Sequence, residues 1–203
     1  MLFRYFIANK PFNTICQFSE EVAGQATLAH LNFTFPKDAY PIGRLDQDSE
    51  GLLLLTSDRS LNHHLLNPQF AHKRTYLAQI EGIPTAEALG KFRNGVSIKI
   101  EKKLYDTLPA QCKSVEDPSV YFDNQPIWTR LPLPKASGNK PMSWIEVTLT
   151  EGKNRQVRRM CAAIGHPCLR LIRTSIMDLK LGDLQPNEVK ELNAEAIFSL
   201  LKI

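Results

Sequence analysis

The stretch Tyr40–Asp58, YPIGRLDQDSEGLLLLTSD, sets two unlike patterns side by side. Leu52 to Leu55 form a short unbroken apolar run, and a run of that length bounded by turn residues reads as a buried strand. Directly before it stand Arg44, Asp46, Asp48 and Glu50, one guanidinium and three carboxylates at the threshold of a core. A rigid buried strand is a good anchor for a loop that must hold one side chain in place.

The spacing of the acids permits three readings. In the first, Asp46, Asp48, Glu50 and Gly51 are the opening half of a calcium loop, but the twelfth position is Ser57, where a bidentate glutamate is needed. In the second, the cluster is a turn in which Arg44 pairs with a local carboxylate. In the third, one aspartate is a nucleophile or base kept ionised by a nearby guanidinium. Spacing alone does not choose between the last two.

Working outward, LFRYFIAN (2–9) and NTICQF (13–18) predict two strands punctuated by Pro11, and residues 25–33 predict a short helix ended by Pro36. Asp58 or Ser60 caps a helix over 60–66, stopped before Pro68. RTYLAQIEG alternates, with Tyr76, Ala78 and Ile80 on one face. Thr85 opens a helix over TAEALGKFRNG that Gly95 closes. Strands are expected at 96–100, at about 110–116, in SWIEVTLTEG and in CLRLIR, and the tail over 176–203 reads as strand, turn and a closing helix near 194–202. Strands and helices mix without a regular alternation, which predicts an α+β fold with a mainly antiparallel sheet.

Five of the thirteen prolines fall within 117–141, together with Trp128, Arg130, Lys135 and Lys140. This predicts a long loop or arm. A basic loop with an aromatic can stack on and steer RNA; a plain surface insertion is the alternative.

KNRQVRR (153–159) opens a helix with Asn154 as its cap and Gly165 as its stop. At 100° per residue, Val157, Met160, Cys161 and Ile164 form one apolar stripe, with Arg155 and Arg159 opposite. Arg158 falls at the border, where it can point into a cleft. Lys153, Arg155 and Arg159 suit phosphates, and Arg170 and Arg173 follow on a strand, which favours an anionic ligand over a solvated basic face.

The 203 residues suit one domain or two small lobes, and the net charge of +4 is compatible with a polyanionic partner without proving one. No apolar run approaches the roughly 18 residues of a membrane span. The N-terminal apolar stretch is short and broken by Arg4, so no signal peptide is expected and a cytoplasmic location is. Cysteines at 16, 112, 161 and 168 contain no C-x-x-C pair, which leaves zinc little support and predicts reduced thiols.

The motifs together resemble a known family. GRLDQDSEGLLLLTSD is similar to the signature of the pseudouridine synthases, in particular the group of small-ribosomal-subunit synthase A. RTYL resembles that group's basic-x-Tyr strand, EGKNRQVRRMCAAIGHPCLRLIR its later basic segment, and FIANKPFNTICQF its first strands, all in the right order over about residues 4–192. QIEGIPTAEALGKFRNGV, TLPA and the proline-rich arm look most like the large-subunit branch, synthase E.

The resemblance implies a single catalytic domain over 1–203 with the pseudouridine synthase fold: a mixed, mainly antiparallel sheet in two lobes around a central catalytic cleft. It implies isomerisation of a uridine in ribosomal RNA, 23S by the subgroup, whether as free RNA or in a large-subunit assembly particle. The expected enzyme is a monomer that needs no cofactor or metal and no membrane. By the same resemblance Asp46 is catalytic, either attacking C1′ or taking a proton from C2′. Arg158 pairs with it, Arg44 holds the backbone where the target is extruded, Tyr76 packs on the uracil, and Leu171 lines the pocket or merely the core. Arg74, Lys153, Arg155, Arg159, Arg170 and Arg173 are expected on RNA. Asp48 and Glu50 are expected in the turn and at the surface. Most of the wider group begins with a small accessory RNA-binding domain. Here the catalytic domain starts at about residue 4, so substrate choice is expected to rest on its own surface. Two rival functions remain: a metal-dependent nuclease or hydrolase using Asp46, Asp48 and Glu50, and a non-catalytic RNA-binding assembly protein.

Overall fold

The computed structural model describes residues 3–203. In chain order the elements are β1 (Tyr5–Lys10), β2 (Tyr40–Ile42), β3 (Glu50–Thr56), α1 (Arg59–Leu66), β4 (Arg74–Glu81), α2 (Ala86–Asn94), β5 (Ser97–Ile100) and β6 (Lys103–Asp106). There follow β7 (Gln111–Val115), β8 (Met142–Leu149), α3 (Gln156–Ala163), β9 (Cys168–Ile176), β10 (Leu179–Lys180), β11 (Val189–Leu192) and α4 (Ala194–Leu201).

The leucine run is β3, and it is buried on both faces. Leu52 and Leu54 pack with Ile7, Leu61 and Ile197, while Leu53 and Leu55 pack with Phe6, Ala8 and Leu28. All four are 0 % exposed, which stabilises the fold by roughly 6–12 kcal/mol as an upper bound.

Nine strands form one sheet in the order β11-β1-β3-β9-β4-β8-β7, with β2 paired to β3 and β10 to β9. β5 and β6 form a separate hairpin. Every pairing is antiparallel except β3 with β9, which is parallel and runs through two pairs, Glu50–Ile172 and Gly51–Arg173. The sheet therefore has two halves joined at a narrow seam, an α+β arrangement with a mixed, mostly antiparallel sheet. The seam needs a glycine. Gly51 has φ +101°, and a Cβ there would lie 2.8 Å from the Arg173 nitrogen and against its carbonyl oxygen.

Helix starts follow capping chemistry. Asp58 accepts from the Ser60 amide at 2.9 Å and so opens α1, Thr85 accepts from the Ala88 amide for α2, and Asn193 accepts from the Ala196 amide for α4. Four expectations need correction. Residues 13–18 are not a strand. β1 is already paired on both edges, by β3 and β11, so a hairpin partner there has no free edge. The segment instead packs on the next loop, where the Leu45 amide donates to Cys16 Sγ at 3.2 Å. Residues 25–33 hold only a three-residue 3-10 turn, Leu28–His30, because Phe33 and Phe35 are drawn onto the Phe6 ring. Asn154 does not cap α3: Arg155 holds that position in the left-handed region at φ 51°, with no side-chain cap. Finally, β2 and β6 were not expected as strands, and Pro41 is tolerated because β2 lies at an edge. Leu2, assigned to the first expected strand, lies outside the described residues.

Candidate active site

The loop from Gly43 to Ser49 runs from β2 into β3, so its last residue abuts the seam. The Ser49 amide donates to the Asp46 carbonyl at 3.0 Å and closes the turn. Asp46 lines a cavity of about 920 Å³ with Arg44, Tyr76, Lys153, Leu171 and Arg173. Tyr76 comes from β4 and Leu171 from β9, opposite Ala78, both in the half of the sheet beyond the seam, while Asp46 is carried by the loop entering β3 of the other half. Tyr76 is half-buried and packs between two apolar clusters, which holds its ring in place.

The three acids of the loop have different fates. Glu50 is not at the surface: its side chain is 1 % exposed and takes two hydrogen bonds from Arg170, at 2.8 and 2.9 Å, and one from Trp128 Nε1 at 2.7 Å. Every residue of β3 is buried, Glu50 included, and burial of a carboxylate demands such partners. Asp48 takes two hydrogen bonds from Arg155, at 2.8 and 2.7 Å, and lies 3.5 Å from Arg158 Nε. Burial pulls the Asp48 carboxyl up, but the bonds from Arg155 and the charge of Arg158 outweigh it and hold the group below the usual carboxylate range. Asp46 keeps its oxygens toward the cavity, with Arg155 at 3.9 Å as its ion-pair neighbour among the described residues.

The expected Arg158–Asp46 pair is therefore not formed. Arg158 donates to the Asp48 carbonyl at 2.7 Å and to the Cys168 carbonyl at 3.1 Å, and so ties the acidic loop to β9. The one-residue shift of the helix start explains the change: Arg155, outside the helix in the left-handed conformation, reaches back to the loop in its place.

The other basic residues divide. Arg170 is sealed against Glu50, with its guanidinium over the Trp128 ring at 5.4 Å, and is withdrawn from any RNA. Arg159 bonds the Asn154 carbonyl and side-chain oxygen at 3.0 Å and also the Lys99 carbonyl, so its role is to hold α3 to its neighbours. Arg44 and Lys153 stay exposed at the cavity, Lys153 over the Tyr105 ring at 4.9 Å. Arg74 and Arg173 line it from inside. Arg74 donates to the Leu65 carbonyl at 2.6 Å and Arg173 to the Leu52 carbonyl at 2.8 Å.

Sequence reasoning missed Lys10. It is 0 % exposed, and its ammonium donates to the carbonyls of Pro11, Thr14 and Gln47 at 2.9, 2.7 and 3.3 Å. It thereby stitches the end of β1 to the acidic loop. Burial pushes its pKa down to about 8, against the opposing pull of Cys16, Glu50, Asp48 and Asp46. A lysine ending an apolar strand was the available signal. The loop's carboxylates diverge, and among the described residues no three His, Cys, Asp or Glu side chains converge to hold a metal ion.

A family model described as RNA pseudouridylate synthase matches residues 4–163. The chain is 42 % identical over 189 residues to the ribosomal large subunit pseudouridine synthase E of Vibrio parahaemolyticus, covering 93 % of this chain and 74 % of that one. To the synthase E of Xanthomonas axonopodis pv. citri it is 42 % identical over 181 residues, 89 % of each chain. To the ribosomal large subunit pseudouridine synthase B of Bacillus subtilis it is 36 % identical, over 95 % of this chain and 72 % of that one. A crystal structure of pseudouridylate synthase superposes with a TM-score of 0.74 at 26 % identity, over 98 % of this chain and 74 % of that one. The fold, the aspartate loop set at the seam and a match over most of the length agree: the chain belongs to the RNA pseudouridylate synthase family.

Proposed function

We infer that the chain converts a uridine of ribosomal RNA, in the 23S RNA of the large subunit, to pseudouridine, with Asp46 as the catalytic group. One observation carries the assignment. Of the three acids in the loop, two are bound up by arginines, and Asp46 alone presents a carboxylate to the cavity that Tyr76 and Leu171 also line. The relatives named as large-subunit synthases support the choice of RNA.

The reaction breaks the N1–C1′ bond, turns the base and rejoins it through C5, with the C5 proton released and N1 reprotonated. Atoms are conserved overall. Asp46 works on the ribose, by attack at C1′ or removal of the C2′ proton, and either needs a charged carboxylate. Arg155 lies 3.9 Å from that carboxylate. The face of Tyr76 takes the extruded uracil, offsetting an unstacking cost of about a few kcal/mol. Arg44, exposed two residues before Asp46, holds the backbone of the extruded nucleotide, and Arg74, Lys153, Arg155 and Arg173 supply the positive wall. That Asp46, Tyr76 and Leu171 of one chain share one cavity supports a monomeric enzyme, and a substrate in ribosomal RNA supports a cytoplasmic one.

Pseudouridine mapping of ribosomal RNA with and without the gene identifies the target. Asp46→Asn is expected to retain RNA binding and form no pseudouridine, and activity is expected to persist in EDTA. Pseudouridine formed by Asp46→Asn at the cognate site overturns the assignment; loss of activity in EDTA favours the metal-dependent rival.

A further inference from the structure

A second cavity, of about 480 Å³, lies on the far side of Arg155, whose side chain lines both. Its walls carry Arg130 and Lys135 from the proline-rich segment, Arg155 and Arg158 from α3 and its start, Asp48 from the acidic loop, and Phe12. Four cations less one carboxylate leaves a surplus of three positive charges. That carboxylate is already taken, because Asp48 is bonded by Arg155 and faces Arg158.

The cations are built in, not merely scattered. Arg130 is 9 % exposed and stacks on the Phe12 ring with its guanidinium 4.4 Å from the centroid. It donates to the carbonyls of Pro132 and Leu169 at 3.2 and 3.3 Å. Among the described residues it has no carboxylate within ion-pair distance, and neither has Lys135. Arg158 Nε is buried without a hydrogen-bond partner. Arg158 keeps Asp48 at 3.5 Å as its counter-charge, but the buried Arg130 guanidinium has none among the described residues, which is costly unless an anion completes it.

The arm also divides into two functions here. Trp128, its aromatic, is hydrogen-bonded to Glu50 and covered by Arg170, so it anchors the segment and does not stack on bases. Arg130, Pro134 and Lys135, just after it, line the second cavity. We propose that this cavity is a phosphate subsite for the RNA strand flanking the target uridine, formed by Arg130, Lys135 and Arg158 and reached from the catalytic cavity past Arg155. The proline-rich arm is then a substrate-binding element whose tryptophan fixes it to the core and whose basic end grips the backbone. This rests on the reading of the chain as an enzyme acting on ribosomal RNA. A free phosphate or mononucleotide shares the chemistry, and the test separates the two sources.

Lys135 is exposed and makes no ion pair among the described residues, so its loss leaves the fold intact. With the full chain and ribosomal RNA, Lys135→Ala is expected to raise KM about fivefold with kcat unchanged, and to lower the slope of log Kd against log salt by about 0.7–0.9, one phosphate contact. Lys135→Glu is expected to raise KM further, and Arg130→Gln to give the same signature if it folds. Inorganic phosphate at matched ionic strength is expected to produce no saturable thermal shift in the wild type. If the wild type forms pseudouridine while Lys135→Ala and Lys135→Glu leave KM and the salt slope unchanged, the subsite is wrong and the enzymatic reading stands. If the wild type forms none but the variants still weaken RNA binding with the lower slope, the enzymatic reading falls and the subsite stands. A saturable shift with inorganic phosphate that Lys135→Ala abolishes assigns the site to a free anion and overturns the RNA source.

Discussion

Replacing Glu50 by alanine would leave the Arg170 guanidinium in the protein interior with nothing to balance it. The two side chains are 1 % and 7 % exposed and meet at 2.8 and 2.9 Å, so water has no room to take over. Removing one partner of a buried pair costs about 3–5 kcal/mol, and the orphaned Trp128 donor adds about 1 kcal/mol. For a chain of this size each kcal/mol moves Tm by about 2–4 °C, so Glu50→Ala is expected to lower it by roughly 10–20 °C. Glu50→Gln keeps an acceptor for Trp128 and is expected to cost about 3 kcal/mol. Urea titration followed by circular dichroism gives the free energy. Tryptophan emission gives the mechanism, since Trp128 is one of only two tryptophans and sits on the arm. Its emission is expected to shift red below the global transition in Glu50→Ala. Removing both charges, in Glu50→Ala with Arg170→Met, is expected to recover part of the loss, because two apolar groups replace an uncompensated charge. A cost below about 1 kcal/mol for Glu50→Ala, or a double variant worse than the single, would refute the account of a buried pair anchoring arm to seam.

Gly51→Ala is expected to cost on the order of 3 kcal/mol or more by thermal melt, because the added methyl meets the Arg173 backbone at a positive φ. Burial lowers the Lys10 pKa to about 8 in the folded chain from the ordinary 10.5. Between those values the unfolded chain binds more protons, so this group's contribution to stability rises with pH, while the neutral amine holds the Gln47 carbonyl less strongly. The wild type is expected to show an alkaline fall in kcat/KM with a midpoint near 8 that Lys10→Met, less active throughout, lacks.

What the sequence disclosed follows the range of each interaction. The leucine strand, the caps at Asp58 and Thr85 and the alternation of β4 are local, and they were legible. The partners of the acidic loop were not. Arg155 is 107 residues from Asp48 and Arg170 is 120 from Glu50, and no periodicity reports such pairings. The helical wheel placed Arg158 correctly at a border; its pairing with Asp46 was implied by the resemblance alone, and the guanidinium instead meets the Asp48 carbonyl and carboxylate. Glu50 is expected at the surface when the family pattern alone is followed, since that pattern needs only Gly51 and the leucines. Its place in a run whose two faces are both buried was the better guide. Residues 13–18 have the composition of a strand, and only the crowding of β1 by two neighbours denies them an edge.

The seam also sets an order on assembly. β1 takes its second neighbour from residues 189–192, and β3 meets the other half of the sheet at residues 172 and 173. During synthesis the first strand must therefore wait for the last, and the aspartate loop has no cavity wall from β9 until more than 170 residues have been made. A polypeptide emerging from the ribosome thus carries the Asp46 loop without its β9 wall until the residues of that strand have followed it.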